Sequence, residues 1–167
     1  MKRIYFDTSA YVKIYSQEAG TGVADSLFKL AGDRRTKIVM SIWAVNETNA
    51  AIDRKNRRKE IRDPQRDMIF ATIIKRTAEY AENPNAPIDF IPITRTILSL
   101  STDIIKQFHV SADDSLHLAT AFATECQYFI CHDDKLIKAI GKNMSGLPIA
   151  DISSHADTNP LIKSLDN

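Results

Sequence analysis

The sequence predicts an α/β fold: a three-layer α/β/α arrangement on a central, mostly parallel sheet of about five strands, with an added helical hairpin. Three observations predict it. Short runs rich in Ile, Val, Phe and Tyr alternate with longer amphipathic stretches. Polar or breaker residues bound each run, and strand alternating with helix makes a parallel sheet covered on both faces. Nothing repeats, and nothing resembles a linker between domains. With 167 residues and 44% apolar content, the chain suits one domain with a sizeable core. That domain is taken as residues 1–152. The polar remainder, 153–167, reads either as a loose tail or as a short docking helix.

The first strand, RIYF, runs straight into Asp7, Thr8 and Ser9, so a charge closes a buried strand. A helix beginning near Ala10 would use Asp7 as its N-cap, and a metal would use it as a ligand. After the helical stretch GVADSLFKLAG comes the strand KIVM, then the long helix SIWAVNETNAAIDRKNRRKE. The pair Asp63-Pro64 disfavours helix at the residue before proline, which places a turn there and a hairpin with QRDMIFATIIKRTAEYAE. The strand IDFIPI, the helices TRTILSLSTDIIKQF and DDSLHLATAFATE, the strand YFIC, the helix DKLIKAI and the strand LPIADI complete the alternation. In MIFATII, ILSLSTDII and LHLATAF apolar residues recur every three or four positions, as an amphipathic helix requires.

Bulk composition excludes several classes. A net charge of +1 gives no global attraction to nucleic acid, so any such attraction must be local. No run approaches the roughly 18 apolar residues of a membrane span. Asp7 interrupts the amino-terminal apolar run too early for a signal peptide, and the protein is expected to be soluble and cytoplasmic. Cys126 and Cys131, five apart, would point to opposite faces of one strand and stay reduced. With His132 they lack the paired spacing of a zinc site.

The acids carry the chemistry. In an open parallel sheet functional groups gather at the carboxyl ends of the strands. Asp7 ends the first strand; Asp133 and Asp134 follow YFIC; Asp113 and Asp114 open a helix in which Ser111 and Asp114 also satisfy a capping box. Glu47 lies in a polar island, NETN, within an otherwise apolar helix, where an unpaired carboxylate is costly. Each acid alone can be a cap, a first-turn acid or a solvated side chain. Together at one sheet edge they would repel one another unless a cation sat among them. Magnesium takes one or two protein carboxylates, keeps several waters and accepts phosphate oxygens, so these acids suit one or two Mg²⁺ or Mn²⁺ ions with open positions.

At this point the chain resembles the PIN-domain family and, within it, the toxins of VapBC-type toxin–antitoxin pairs. YFDTSAYVKIY is similar to the family's opening strand and helix. SIWAVNET resembles its second motif, a serine leading to a helical glutamate. SADDSLHLATAFA resembles the third, which aligns Asp114 rather than Asp113, and YFICHDDKLIKA the fourth, which aligns Asp133. The resemblance implies that Asp7, Glu47, Asp114 and Asp133 hold a metal and cleave RNA endonucleolytically, with an RNA substrate, an antitoxin partner and a homodimer as further expectations. Cys131 stands where the family's pattern expects a hydroxyl residue. Thr8 and Ser9 either orient a metal-bound water or phosphate or are ordinary first-turn residues; Ser41 reads as a helix cap before a site residue.

The segment DRKNRRKEIRDPQR offers Arg54, Lys55, Arg57, Arg58 and Arg62 as contacts for an RNA backbone, although most basic helix faces are simply solvated. His117 lies on the same helix face as Asp114 and is expected to be packed or paired locally rather than catalytic. Two other readings stay open: a non-catalytic RNA- or partner-binding module, and a haloacid dehalogenase-type phosphatase, whose second acid would fall where Ser9 stands.

Overall fold

The computed structural model describes residues 1–166. Its strands are β1 (Lys2–Phe6), β2 (Thr36–Ser41), β3 (Ile88–Ile91), β4 (Tyr128–Cys131), β5 (Asn143–Met144) and β6 (Leu147–Asp151). The five expected strands pair in parallel in the order β3-β2-β1-β4-β6. The added β5 pairs antiparallel with β6 through Ser145 (φ 50) and Gly146 (φ 91), the two positive-φ positions of a tight hairpin. A two-residue strand is too short to show alternation, which is why the sequence did not announce it.

The helices are α1 (Thr8–Tyr11), α2 (Thr21–Gly32), α3 (Trp43–Arg57), α4 (Asp63–Ala81), α5 (Arg95–Phe108), α6 (Ala112–Ala123), α7 (Asp134–Ile140) and α8 (His155–Asp166). Strand alternation sorts them into layers. Ile4 and Phe6 of β1 join Leu27 of α2 and Leu161 of α8 on one face, whereas Tyr5 joins Ile104 of α5, Leu118 of α6 and Leu136 of α7 on the other. Burying such a side chain stabilises the fold by about 1.5–3 kcal/mol, and both faces are filled this way. In the tail, α8 places Leu161 and Leu165 against Ala150 and Ile152 in the core.

The hairpin closes earlier than Pro64 suggested. Helix α3 stops at Arg57 because Lys59 adopts a left-handed conformation (φ 62), letting its N–H reach Asn56 O at 2.8 Å and the Glu60 N–H reach Lys55 O at 3.0 Å. Those bonds satisfy carbonyls that the helix end leaves open. Pro64 instead sits in the first turn of α4, where its missing N–H costs nothing. Val45 and Ile52 then pack on Ile69 and Ile73 in a small core of their own.

Cys126 and Cys131 are both free. They do not take opposite faces: β4 begins only at Tyr128, so Cys126 lies in the turn before it and packs against the same core cluster as Cys131. Among the described residues no helix is long and apolar enough to cross a membrane. The strand order reverses direction at β1, flanked by β2 and β4, and the crevice at the carboxyl ends of these strands is where such sheets bind ligands.

Candidate active site

Asp7 lies one residue beyond β1 in extended conformation (φ −69, ψ 161), so it continues the face that Tyr5 presents to α6. Its Oδ2 accepts the Ser9 N–H at 3.0 Å and the Ser9 hydroxyl, which makes it the N-cap of α1. The Ser9 hydroxyl also accepts the His132 N–H at 2.8 Å, stitching the end of β1 to the end of β4. Asp7 Oδ1 faces His117 Nε2 at 3.5 Å.

Glu47 comes from the first half of α3 and is only partly exposed. Its Oε2 receives the Thr8 hydroxyl at 2.6 Å and pairs with His117 Nε2 at 2.6 Å. Burial would raise its pKa, but the bonds from His117 and Thr8 outweigh burial and hold the carboxyl below the usual range. His117 shows the converse balance: burial pushes the imidazole down, and the charge of Asp7 with the bond to Glu47 brings it above its ordinary value.

Asp114 sits in the first turn of α6, where its N–H donates to Ser111 Oγ at 3.1 Å and its Oδ2 accepts the Ser111 hydroxyl at 2.7 Å. Burial raises its pKa, and the charges of Asp7 and Asp133 add to that rise. Asp133 is the N-cap of α7, its Oδ1 accepting the N–H groups of Lys135 and Leu136 at 2.8 and 2.9 Å. Burial pushes the Cys131 thiol far up, with the charge of Asp7 next in importance, so this side chain lies beneath the acids as a neutral core residue.

The sheet edge therefore gathers Asp7, Glu47, Asp114 and His117 around a cleft of about 440 Å³. Asp113, which the motif alignment set aside, lines it as well. Asp133 does not line the cleft; it acts on Asp114 through its charge. Ala50, Ala51 and Arg54 extend the lining along α3, with Arg54 two turns beyond Glu47. The other basic candidates divide. Lys55 binds Glu18 at 3.0 Å and Glu60 at 3.4 Å, and Arg57 binds Asp53 at 3.0 Å, whereas Arg58 and Arg62 are exposed. Ser41 accepts the Trp43 N–H through its hydroxyl at 3.2 Å, a capping contact, while its own N–H donates to the Tyr5 hydroxyl at 3.0 Å.

Sequence reasoning missed the part played by Tyr5 and placed His117 only as locally paired. Two spacings carried the signal: Tyr5-x-Asp7 on one strand face and Asp114-x-x-His117 on one helix face.

The donor set suits a hard cation. All the clustered acids offer oxygen, and Asp114 carries a charge that burial, and after it the like charges of Asp7 and Asp133, disfavour. Among the described residues no group of three or more His, Cys, Asp or Glu side chains is placed to hold a metal ion together. An ion that takes one or two carboxylates and completes its shell with water or phosphate oxygen fits such an arrangement; one needing four protein ligands does not.

Two solved structures share the fold. PAE2754 from Pyrobaculum aerophilum superposes with a TM-score of 0.58 at 11% identity, covering 99% of this chain and 96% of its own. A chain of a toxin–antitoxin complex from Klebsiella pneumoniae superposes with a TM-score of 0.55 at 14% identity, covering 89% of this chain and 97% of its own. No curated protein matches the sequence. Residues 4–143, a span that includes every residue lining the cleft, match the PIN domain, and the chain belongs to the PIN domain family.

Proposed function

We propose that this chain is a divalent-metal-dependent endoribonuclease, hydrolysing RNA phosphodiester bonds as the toxin of a toxin–antitoxin pair. One observation carries the reading: Asp7, Glu47 and Asp114, from three separate segments, line one cleft at the sheet's switch point, where burial first and the charges of Asp7 and Asp133 next raise the Asp114 pKa. Each Mg²⁺ or Mn²⁺ ion would take one or two carboxylates from among Asp7, Glu47, Asp114 and Asp133, the first three lining the cleft and Asp133 near enough for its charge to act on Asp114. When bound, such an ion supplies hydroxide from its water near neutral pH and neutralises charge growing on the phosphate.

The chain's own residues do the positioning. Ser9 holds the Asp7 carboxylate from below, and Thr8 with His117 holds that of Glu47. Arg54, exposed along the cleft, offers a guanidinium to a phosphate oxygen beside the scissile bond, with Arg58 and Arg62 farther along. Lys55 and Arg57 are occupied by acidic partners and contribute less. The phosphatase alternative loses ground: the residue that should be its second acid is Ser9, whose hydroxyl is bound to Asp7 and His132. The antitoxin partner rests on family membership and on the Klebsiella fold neighbour, itself a toxin–antitoxin complex.

The test is an incubation of purified protein with structured RNA and Mn²⁺, with and without chelator, beside Asp7→Asn and a small phosphoester. The expected outcome is RNA cutting that chelator stops and Asp7→Asn loses. Hydrolysis of the small ester alone would favour the phosphatase, and inactivity on both substrates would favour a binding module.

A further inference from the structure

We infer that His117 is a positioning residue whose Nε2–H holds Glu47 in its metal-facing orientation, and that Tyr5 sets this by bonding the other ring nitrogen. The inference rests on the nuclease reading of the cleft and adds to it a buried relay. Its members come from five elements. The Ser41 N–H at the end of β2 donates to the Tyr5 hydroxyl at 3.0 Å; Tyr5 Oη lies 2.7 Å from His117 Nδ1; His117 Nε2 lies 2.6 Å from Glu47 Oε2, which also takes the Thr8 hydroxyl. Tyr5 and Ser41 are 0% exposed and His117 is 1% exposed, so water does not substitute for the Ser41–Tyr5 and Tyr5–His117 bonds.

Counting hydrogens fixes the direction. A tyrosine hydroxyl has one hydrogen to give, and in this pocket the Ser41 N–H already uses one of its lone pairs. Its own hydrogen has His117 Nδ1 as acceptor, which places the hydrogen of a neutral ring on Nε2, facing a carboxylate that can only accept. If the ring carries a second proton, Nε2 still donates to Glu47, so the hold on the carboxylate does not depend on ring charge. The opposite neutral tautomer would set a lone pair on Nε2 against the Glu47 oxygen and leave Nδ1–H competing with the Tyr5 hydrogen. Tyr5 is itself clamped, its ring stacked on Phe129 with centroids 5.2 Å apart and planes 9° from parallel. Partners behind a metal-binding carboxylate of this kind change metal affinity without touching the metal.

The test uses full-length protein labelled with ¹⁵N-histidine and, separately, Mn²⁺ titrations followed by electron paramagnetic resonance. In chelator, at a pH where the ring is neutral, long-range ¹H–¹⁵N spectra should give His117 the pattern of hydrogen on Nε2 with Nδ1 as acceptor, and Tyr5→Phe should move the Nδ1 shift to that of an acceptor without its donor while Glu47 keeps the hydrogen on Nε2. Mn²⁺ affinity should fall about 10–100-fold in His117→Leu. Tyr5→Phe removes a single oxygen and should lower affinity in the same direction while keeping the native near-ultraviolet circular dichroism. His117→Gln, whose amide can donate to Glu47, should recover part of the affinity that His117→Leu loses, which a space-filling role would not produce. A wild-type ring with hydrogen on Nδ1 alone, or Mn²⁺ affinity unchanged in His117→Leu, overturns the relay and leaves the nuclease reading standing. Wild-type protein that binds no Mn²⁺ overturns the nuclease reading, and this role with it.

Discussion

Two acids at the carboxyl edge of the sheet, Asp151 and Asp114, are held on opposite terms. At the end of β6, Asp151 accepts the Ser153 N–H and hydroxyl, each at 2.9 Å, and pairs with His132 Nδ1 at 3.0 Å. Beside it Asp157 binds Lys142 at 2.7 Å. Burial raises the Asp151 pKa, but the Ser153 N–H and His132 outweigh burial and hold it below the usual range. In the cleft Asp114 accepts a hydrogen bond from Ser111 at 2.7 Å, and burial, with the charges of Asp7 and Asp133 behind it, raises its pKa. An acidic cluster completed by protein donors is a structural joint. Asp114, whose charge burial and like-charged neighbours disfavour, is where the proposed cation would compensate.

The largest effect that could break this comparison is on RNA cleavage. Asp7→Asn and Asp114→Asn should each lower the rate at least about 100-fold, because loss of a ligand exceeds the 10–100-fold typical of residues behind one. Asp151→Asn should leave the rate within about twofold, since its bonds close on protein groups. Comparable losses at both places would erase the distinction between joint and site.

A smaller effect separates the arginines on the same physical ground. Arg54→Ala should weaken RNA binding and reduce the slope of log affinity against log salt by about 1, as expected for one phosphate contact. Arg57→Ala should change that slope less, because Asp53 already neutralises Arg57 at 3.0 Å. Filter binding at several salt concentrations reads both.

The smallest effect is on stability in chelator, measured by thermal melting. Near neutral pH, Asp114→Asn should raise the melting temperature, because it removes a charge that burial, Asp7 and Asp133 disfavour. Asp151→Asn should lower it by a few degrees, at about 2–4 °C per kcal/mol for a chain of this size. The pH dependences have opposite signs. Asp151 has a depressed folded pKa, so its stabilising contribution is present above the unfolded value and is lost as pH falls through the folded one. Asp114 has a raised folded pKa, so its penalty is present above that pKa and is relieved as pH falls through it.

How much of this was legible in the sequence follows from what each feature depends on. The parallel strands showed because Ile, Val and aromatic runs between amphipathic helices admit few other architectures. Asp7, Glu47 and Asp114 showed because each is an acid at a position where the local pattern does not ask for one, or asks for only a cap. The early end of α3 did not show, since Lys59 takes a left-handed conformation that glycine usually signals. The engagement of Lys55 with Glu18 is a contact across 37 positions, which no local pattern encodes. The link from Tyr5 to His117 spans 112 positions and exists only once β1 lies under α6. Asp151 and Asp114 look alike as letters; only their partners in space separate them.

The central claim is that the cleft is incomplete without a divalent cation, and Mn²⁺ binding measured by electron paramagnetic resonance tests it most directly. Wild-type protein and Asp151→Asn should bind Mn²⁺ with similar affinity, and Asp114→Asn should bind it at least about tenfold more weakly. Equal binding by wild type and Asp114→Asn, or no binding by wild type, would contradict the account.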